Sequence, residues 1–171
     1  ADPPREPPRP PRPPPRRGGA AVKPGRAPVA RACRLRTLPL RLQQSRTSTE
    51  KIVAWLEQHP QVEKVVYPFS KTFPQYALAQ RQMKHGSGLF TMLIKARDVE
   101  QVELFCNSLK KFLMAVSWGG HESLLMPACS FPVQQHYKDD VYPFNLIRFY
   151  IGLEDADNLM EDLSQAFDKI K

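Results

Sequence analysis

Apolar residues recur at steps of three and four along residues 35–58, which is the spacing of one face of a helix. The positions in this pattern are Leu35, Leu38, Leu42, Thr49, Ile52 and Leu56, with Ser45 as a polar interruption. Pro39 suits the first turn of a helix that begins near Leu35, whereas Thr47 and Glu50 offer a capping box and a later start. The pattern therefore predicts one long helix with two alternative starts, ended by His59 and Pro60.

Further along the chain, apolar runs that predict strands alternate with amphipathic segments that predict helices. The predicted strands are 62–67, 89–94, 113–116 and 146–151, and the predicted helices are 74–82, 99–111 and a last one from about residue 155. Asp98 is placed to cap the second of these helices. Its apolar stripe consists of Val102, Phe105, Leu109 and Phe112. This order predicts an α+β fold with a small, mainly antiparallel sheet covered by helices.

The N-terminal part of the chain differs in composition from the rest. Residues 1–46 hold 12 of the 18 prolines, with 12 basic and two acidic residues, whereas the remainder has 13 basic and 15 acidic residues. The net charge of +8 therefore belongs to the N-terminal segment. Consecutive prolines lack N–H donors and have a fixed φ, so we expect 1–34 to be a disordered Pro/Arg-rich leader, which an error in gene prediction could also explain. Proline and arginine spacings in 5–12 also fit ligands of SH3 domains, so a non-catalytic binding module with a ligand-like tail is one alternative function.

Cysteine and histidine positions limit the kinds of site that the chain can hold. The three cysteines are an odd number without paired spacing, which argues against a disulfide framework and favours a reducing, cytoplasmic location. The four histidines lack helical i,i+4 spacing, so we expect no metal site. No apolar run reaches 18 residues and the start of the chain has no secretory core, so we expect neither a membrane association nor export.

Two segments carry the candidate chemistry. Residues 117–124, SWGGHESL, place adjacent glycines between apolar segments, which lets a ligand approach backbone N–H groups closely. Residues 146–155, LIRFYIGLED, contain Arg148 within an otherwise apolar strand. A guanidinium offers paired donors that match a carboxylate, so Arg148 is a candidate for binding the acid group of a substrate.

Together with 35–41 (LRTLPLR), 59–62 (HPQV), Tyr67-Pro68 and the closing GLED, these segments resemble the C-terminal domain of the pyridoxal-phosphate (PLP) enzymes of cysteine and methionine metabolism. The resemblance covers the chain from about Leu35 to its end. It implies that 35–171 are the C-terminal small domain of a fold-type I, aspartate aminotransferase-like enzyme, with 35–58 as the inter-domain helix. Trp118 makes the loop most similar to the cystathionine β-lyase branch, and the γ-synthase and γ-lyase branches, which usually have leucine there, are the alternative.

The resemblance implies a PLP-dependent carbon–sulfur lyase of methionine biosynthesis that converts cystathionine to homocysteine, pyruvate and ammonia. Arg148 matches the family's arginine that binds the substrate α-carboxylate, and Ser117 and Trp118 would lie beside that carboxylate. Tyr150 is a departure, since many members have a small hydroxyl residue at this position. Glu122 is expected to hold the loop by accepting nearby N–H groups.

No catalytic or cofactor-binding residue is expected in this chain, because nothing in it matches the family's Schiff-base lysine. Lys23 lies in an unrelated Val-Lys-Pro-Gly segment. We therefore expect the chain to be a fragment that is inactive alone, with PLP held elsewhere. The partners implied are an amino-acid thioether and, for the full-length enzyme, the copies of a homotetramer, with self-association of the isolated chain weak or absent. No specific nucleic acid is expected.

Overall fold

A five-stranded sheet with helices packed against it forms the unit Thr37–Lys171 in the computed structural model, which describes residues 35–130 and 142–171. The helices are α1 (Leu38–Leu56), α2 (Tyr76–Gln82), α3 (Val99–Ser108) and α4 (Ala156–Phe167). The strands are β1 (Val62–Val66), β2 (Leu89–Ile94), β3 (Leu113–Met114), β4 (Leu124–Pro127) and β5 (Leu146–Tyr150). Short 3₁₀ turns occupy Ala128–Ser130 and Asp168–Ile170.

The strand order is β1-β2-β5-β4-β3, with β5 in the centre. Pairings β1–β2, β2–β5 and β4–β5 are antiparallel, and β3–β4 is parallel. The α+β class is therefore confirmed, and the sheet is mixed with a majority of antiparallel pairs. Arg148 lies in the central strand between Thr91 of β2 and Met126 of β4.

The core lies between the sheet and helices α1, α3 and α4. Phe149 is fully buried, stacks on Phe90 with ring centroids 5.3 Å apart, and meets Phe112 edge-on at 5.4 Å. The predicted stripe of α3 is confirmed for Val102 and Phe105, which have no exposed surface, whereas Leu109 and Phe112 are buried but lie beyond the end of the helix. Burying each large apolar side chain stabilises the fold by about 1.5–3 kcal/mol.

Helix α1 begins at Leu38 with Pro39 in its first turn, so the earlier of the two predicted starts is confirmed and the start at Thr47 is wrong. The helix ends at Leu56, before the predicted limit of residue 58. Its apolar stripe is buried only in the C-terminal part, because Leu38 and Leu42 are 36% and 53% exposed.

The predicted cap at Asp98 is confirmed, and Asp155 forms a second cap. Asp98 accepts the Gln101 N–H at 2.9 Å at the start of α3. Asp155 accepts the N–H groups of Asp157 and Asn158 at 3.0 and 3.1 Å at the start of α4.

Several predicted ends differ from the structure. Helix α3 ends at Ser108 rather than residue 111, β3 covers two residues rather than 113–116, and β5 ends at Tyr150. The predicted leader 1–34 lies outside the described residues. None of the helices in the described residues is both long enough and apolar enough to cross a membrane.

Candidate functional site

Arg148 contacts the start of the loop formed by residues 115–123, which connects β3 to β4. Its strand neighbours Ile147 and Phe149 face the core and are fully buried, so alternation along β5 directs the arginine to the opposite face. Nη2 donates to the carbonyl oxygen of Val116 at 2.6 Å, with the carbonyl oxygens of Ala115 and Ser117 at 3.4 and 3.5 Å. The side chain is therefore held by the loop and remains half-buried.

The guanidinium of Arg148 has no acidic partner within residues 35–130 and 142–171. Its hydrogen bonds in this part of the chain all use Nη2 and go to carbonyl oxygens. An arginine in a strand can also be explained by an ion pair with an internal carboxylate. No described carboxylate forms such a pair with Arg148. The other N–H donors of the fork match the geometry of a carboxylate.

Ser117 and Trp118 lie on the exposed part of the same loop. Trp118 is 63% exposed, so packing into the core does not account for it. Gly119 follows with φ of +87°, a backbone conformation that glycine adopts readily. Tyr150 of β5 donates its hydroxyl to the Gly120 carbonyl oxygen at 3.1 Å. The structure thus places the Ser117 carbonyl oxygen 3.5 Å from Arg148 Nη2 and leaves the Trp118 side chain exposed.

A cleft of about 280 Å³ lies on the α1 side of this loop. Its lining is mainly apolar with a few polar side chains. The lining residues are Leu38, Arg41, Leu42, Ser45, Ser87, Gly88, Leu89, Trp118, Gly119, Gly120 and Tyr150. Trp118 therefore belongs to the wall of this cleft, whereas Arg148 and Ser117 do not line it.

The carboxylate that holds the loop is Glu154, not Glu122. Glu154 Oε1 accepts the Ser123 N–H at 2.8 Å and Oε2 accepts the Ser123 hydroxyl at 2.7 Å. In the described part of the chain, Glu122 bonds no backbone N–H and instead lies 3.4 Å from Nδ1 of exposed His121. The expectation that Glu122 holds the loop is wrong. Ser123 is fully buried, and a buried hydroxyl needs a hydrogen-bond partner, but this burial is not visible in the sequence.

The two cysteine thiols in the described part of the chain are not activated. Burial raises the pKa of the Cys106 thiol to about 12 and also raises the pKa of Cys129. Thiols of this kind are poor nucleophiles at neutral pH. Within the described residues, no group of three His, Cys, Asp or Glu side chains is arranged to hold a metal ion.

Comparison with known proteins shows which family and which relatives the chain is similar to. The sequence profile of the family described as Cys/Met metabolism PLP-dependent enzyme matches residues 15–168. Cystathionine gamma-lyase of Dictyostelium discoideum is 36% identical over 140 residues, which cover 79% of this chain and 36% of the relative. Cystathionine beta-lyase MetC of Escherichia coli K12 is also 36% identical over 140 residues, which cover 80% of this chain and 35% of the relative.

Among solved structures, metB from Corynebacterium glutamicum superposes with a TM-score of 0.73 at 33% identity. The match covers 82% of this chain and 36% of that chain. The chain thus spans about a third of the length of these relatives.

Proposed function

Because the chain belongs to the Cys/Met metabolism PLP-dependent enzyme family, we propose that it is the domain that binds the substrate carboxylate in a carbon–sulfur lyase of that family. The substrate class is an amino-acid thioether. The reaction proposed first is that of a cystathionine β-lyase, which yields homocysteine, pyruvate and ammonia. The second is the γ-lyase type, because relatives of both names match at 36% identity.

One observation carries this proposal: the loop carbonyl groups hold Arg148 by a single nitrogen, and no described carboxylate neutralises it. Fixing Nη2 limits rotation of the guanidinium, so the remaining donors meet an incoming carboxylate in a prepared orientation. The bound carboxylate would also offset the arginine's charge. Ser117 would add a hydroxyl beside it, and Trp118 would form a wall for the rest of the substrate.

The family depends on PLP. When bound, PLP withdraws electrons from the substrate α-carbon. This chemistry also uses a lysine and an acid partner for the pyridine nitrogen. The lining of the described cleft contains no lysine, aspartate or glutamate, so it does not fit a site that holds PLP. We therefore assign the described residues to substrate binding alone.

Two further parts of the proposal concern assembly and location. Leu38 and Leu42 of α1 are exposed and form an apolar surface at the wall of the cleft. Such a surface favours a partner. We propose assembly into the homotetramer that the resemblance implies, in the cytoplasm, for an enzyme of methionine biosynthesis.

Binding of L-cystathionine to the purified chain tests the role of Arg148. Titration calorimetry on the unsubstituted chain and on Arg148→Lys and Arg148→Gln should show affinity falling about 10-fold or more, since hydrogen bonds between charged groups are lost. Exposed Arg97 lies outside the loop and β5, so Arg97→Gln is the control and should bind as the unsubstituted chain does. Equal affinity in the chain and in Arg148→Gln contradicts the proposal.

The type of elimination is tested by the keto acid formed when the chain is supplied with PLP and cystathionine. Cleavage at the β-carbon releases pyruvate, whereas cleavage at the γ-carbon releases 2-oxobutanoate. Pyruvate supports the β-lyase type, and 2-oxobutanoate supports the second candidate. If neither keto acid forms, the chain is inactive alone, which is the result expected of a chain with no match to the family's Schiff-base lysine, and the binding measurement decides its role.

A further inference from the structure

The far end of the 115–123 loop is joined to the segment that follows β5 through Ser123 and Glu154. The Glu154 carboxylate accepts both the backbone N–H and the hydroxyl of Ser123, at 2.8 and 2.7 Å. The Ser123 oxygen in turn accepts the Gly152 N–H at 2.9 Å. Each donor at this buried serine is thus matched, and no cation pairs with Glu154 in the part of the chain that the structure describes.

The loop is consequently held at both of its ends by residues of one continuous segment. Arg148 bonds the loop at its start through the Val116 carbonyl oxygen, and Glu154 bonds it at its end. The Leu153 N–H adds a bond of 2.8 Å to the His121 carbonyl oxygen. Ser117 and Trp118 lie between these two points, so their placement depends on both.

We propose that Glu154 is a positioning residue: by binding Ser123 it holds the loop in the shape that keeps Arg148 and Ser117 directed at the substrate carboxylate. This inference rests on the proposed function, because it adds a residue to the same site. The two carboxylate oxygens fix the backbone and the side chain of Ser123 at once. A glutamine has the same size, but an NH₂ group replaces one of the two oxygens, so one of the two Ser123 donors would face another donor.

Amide hydrogen exchange of the full chain tests whether Glu154 orders the loop at a distance. The Ala115 N–H bonds the Leu125 carbonyl oxygen at 3.1 Å and lies at the Arg148 end of the loop. In Glu154→Gln and in Ser123→Ala we expect exchange of the Ala115 amide to rise about tenfold, the effect of losing one bond to a charged group. The amide of Val102 in α3 should keep its protection. Exposed Glu161 on α4 gives the matched control Glu161→Gln, which should leave both amides unchanged.

Calorimetric titration with L-cystathionine tests whether this order serves binding. We expect Glu154→Gln to weaken the affinity about tenfold although Arg148 is intact. The double variant Ser123→Ala/Glu154→Gln should be no weaker than the worse single variant, because both changes break the same contact. If the double variant lost as much binding free energy as the two single variants combined, Glu154 would not act through its contact with Ser123.

The outcomes separate a positioning role from a purely structural one. Unchanged Ala115 exchange, or an equal loss of protection at Ala115 and Val102, overturns the inference. Unchanged affinity with a loosened loop also overturns it, since the loop's shape then has no effect on the carboxylate. If the unsubstituted chain does not bind cystathionine, the proposed function fails, and the exchange data still show whether Glu154 orders the loop.

Discussion

The Asp162 carboxylate on α4 accepts the backbone N–H of Lys111 at 2.7 Å. It also accepts the Lys110 N–H at 2.9 Å, and its side chain is buried. Gln165 on the same helix donates to the Ser108 carbonyl oxygen at 2.7 Å. Helix α4 therefore satisfies the backbone groups where α3 ends, and the chain turns there towards β3.

Replacing Asp162 by alanine should destabilise the fold by about 1–3 kcal/mol, because the N–H groups of Lys110 and Lys111 would lose their acceptor. Urea unfolding of the chain measures the change. Glu161→Gln, the exposed neighbour on the same helix, should shift the free energy of unfolding by less than about 0.5 kcal/mol. Equal stability of the two variants would show that the Asp162 contacts contribute nothing.

The elements of the fold could be predicted from the sequence, but several of their ends could not. Apolar periodicity identified α3 and its buried stripe, yet placed its end at residue 111 instead of Ser108. The helix ends where Asp162, which is distant in sequence, accepts the N–H groups of Lys110 and Lys111. Similarly, periodicity showed that Leu38 and Leu42 share a face of α1 with Ile52, but it does not indicate what covers that face.

The candidate site was predicted in part. The resemblance indicated that Arg148 and the 117–124 loop belong together, and the structure places the guanidinium on the Val116 carbonyl oxygen. The role of Glu154 was not predicted, because an acidic residue just before a helix is also explained by the helix dipole. In the structure Asp155 caps α4, and Glu154 binds Ser123 instead.

Gly152 should tolerate no side chain, because a Cβ there would overlap the His121 carbonyl oxygen and the Glu122 backbone. Gly152→Ala is expected to cost about 1–3 kcal/mol, the usual effect of overpacking where backbone must move. Gly119 provides the comparison: a Cβ there meets nothing, and only its φ of +87° is unfavourable. We expect Gly119→Ala to cost about 1 kcal/mol. The prediction is contradicted if urea unfolding shows Gly119→Ala to be less stable than Gly152→Ala.

His59 should make the fold less stable in mild acid. Burial, and then the charge of Lys171, lowers the pKa of His59 below 6.5 while its ring stacks on Phe167 at 4.2 Å. The unfolded chain therefore binds the proton more readily than the folded chain. This contribution to stability is complete above pH 6.5 and decreases as the pH falls from 6.5 towards the folded-state pKa.

Urea midpoints measured from neutral pH to mild acid check the prediction for His59. In His59→Phe, which keeps a ring for the stack, this part of the pH dependence should disappear even if the absolute stability changes. His121→Gln removes a histidine whose side chain is 76% exposed and should leave the dependence in place. The same pH profile in His59→Phe and in the unsubstituted chain would exclude a contribution from His59.

The two tryptophans of the chain should respond to substitution in opposite ways. Trp55 packs against the core, with its ring 5.1 Å from His59 and 6.4 Å from Phe167, so Trp55→Ala should cost about 2 kcal/mol or more. Trp118 is 63% exposed, so Trp118→Ala should change the free energy of unfolding by less than about 0.5 kcal/mol.

Affinity for L-cystathionine then distinguishes whether the exposed Trp118 contacts the substrate or only packs within its loop. If Trp118 forms a wall of the substrate site, Trp118→Ala should weaken binding about tenfold, consistent with the loss of a large buried apolar contact. Trp118→Phe, which retains an aromatic face, should recover part of that loss. A fold weakened by Trp118→Ala without any change in affinity would mean that this side chain serves loop packing, and the proposed site would then consist of Arg148 and Ser117 alone.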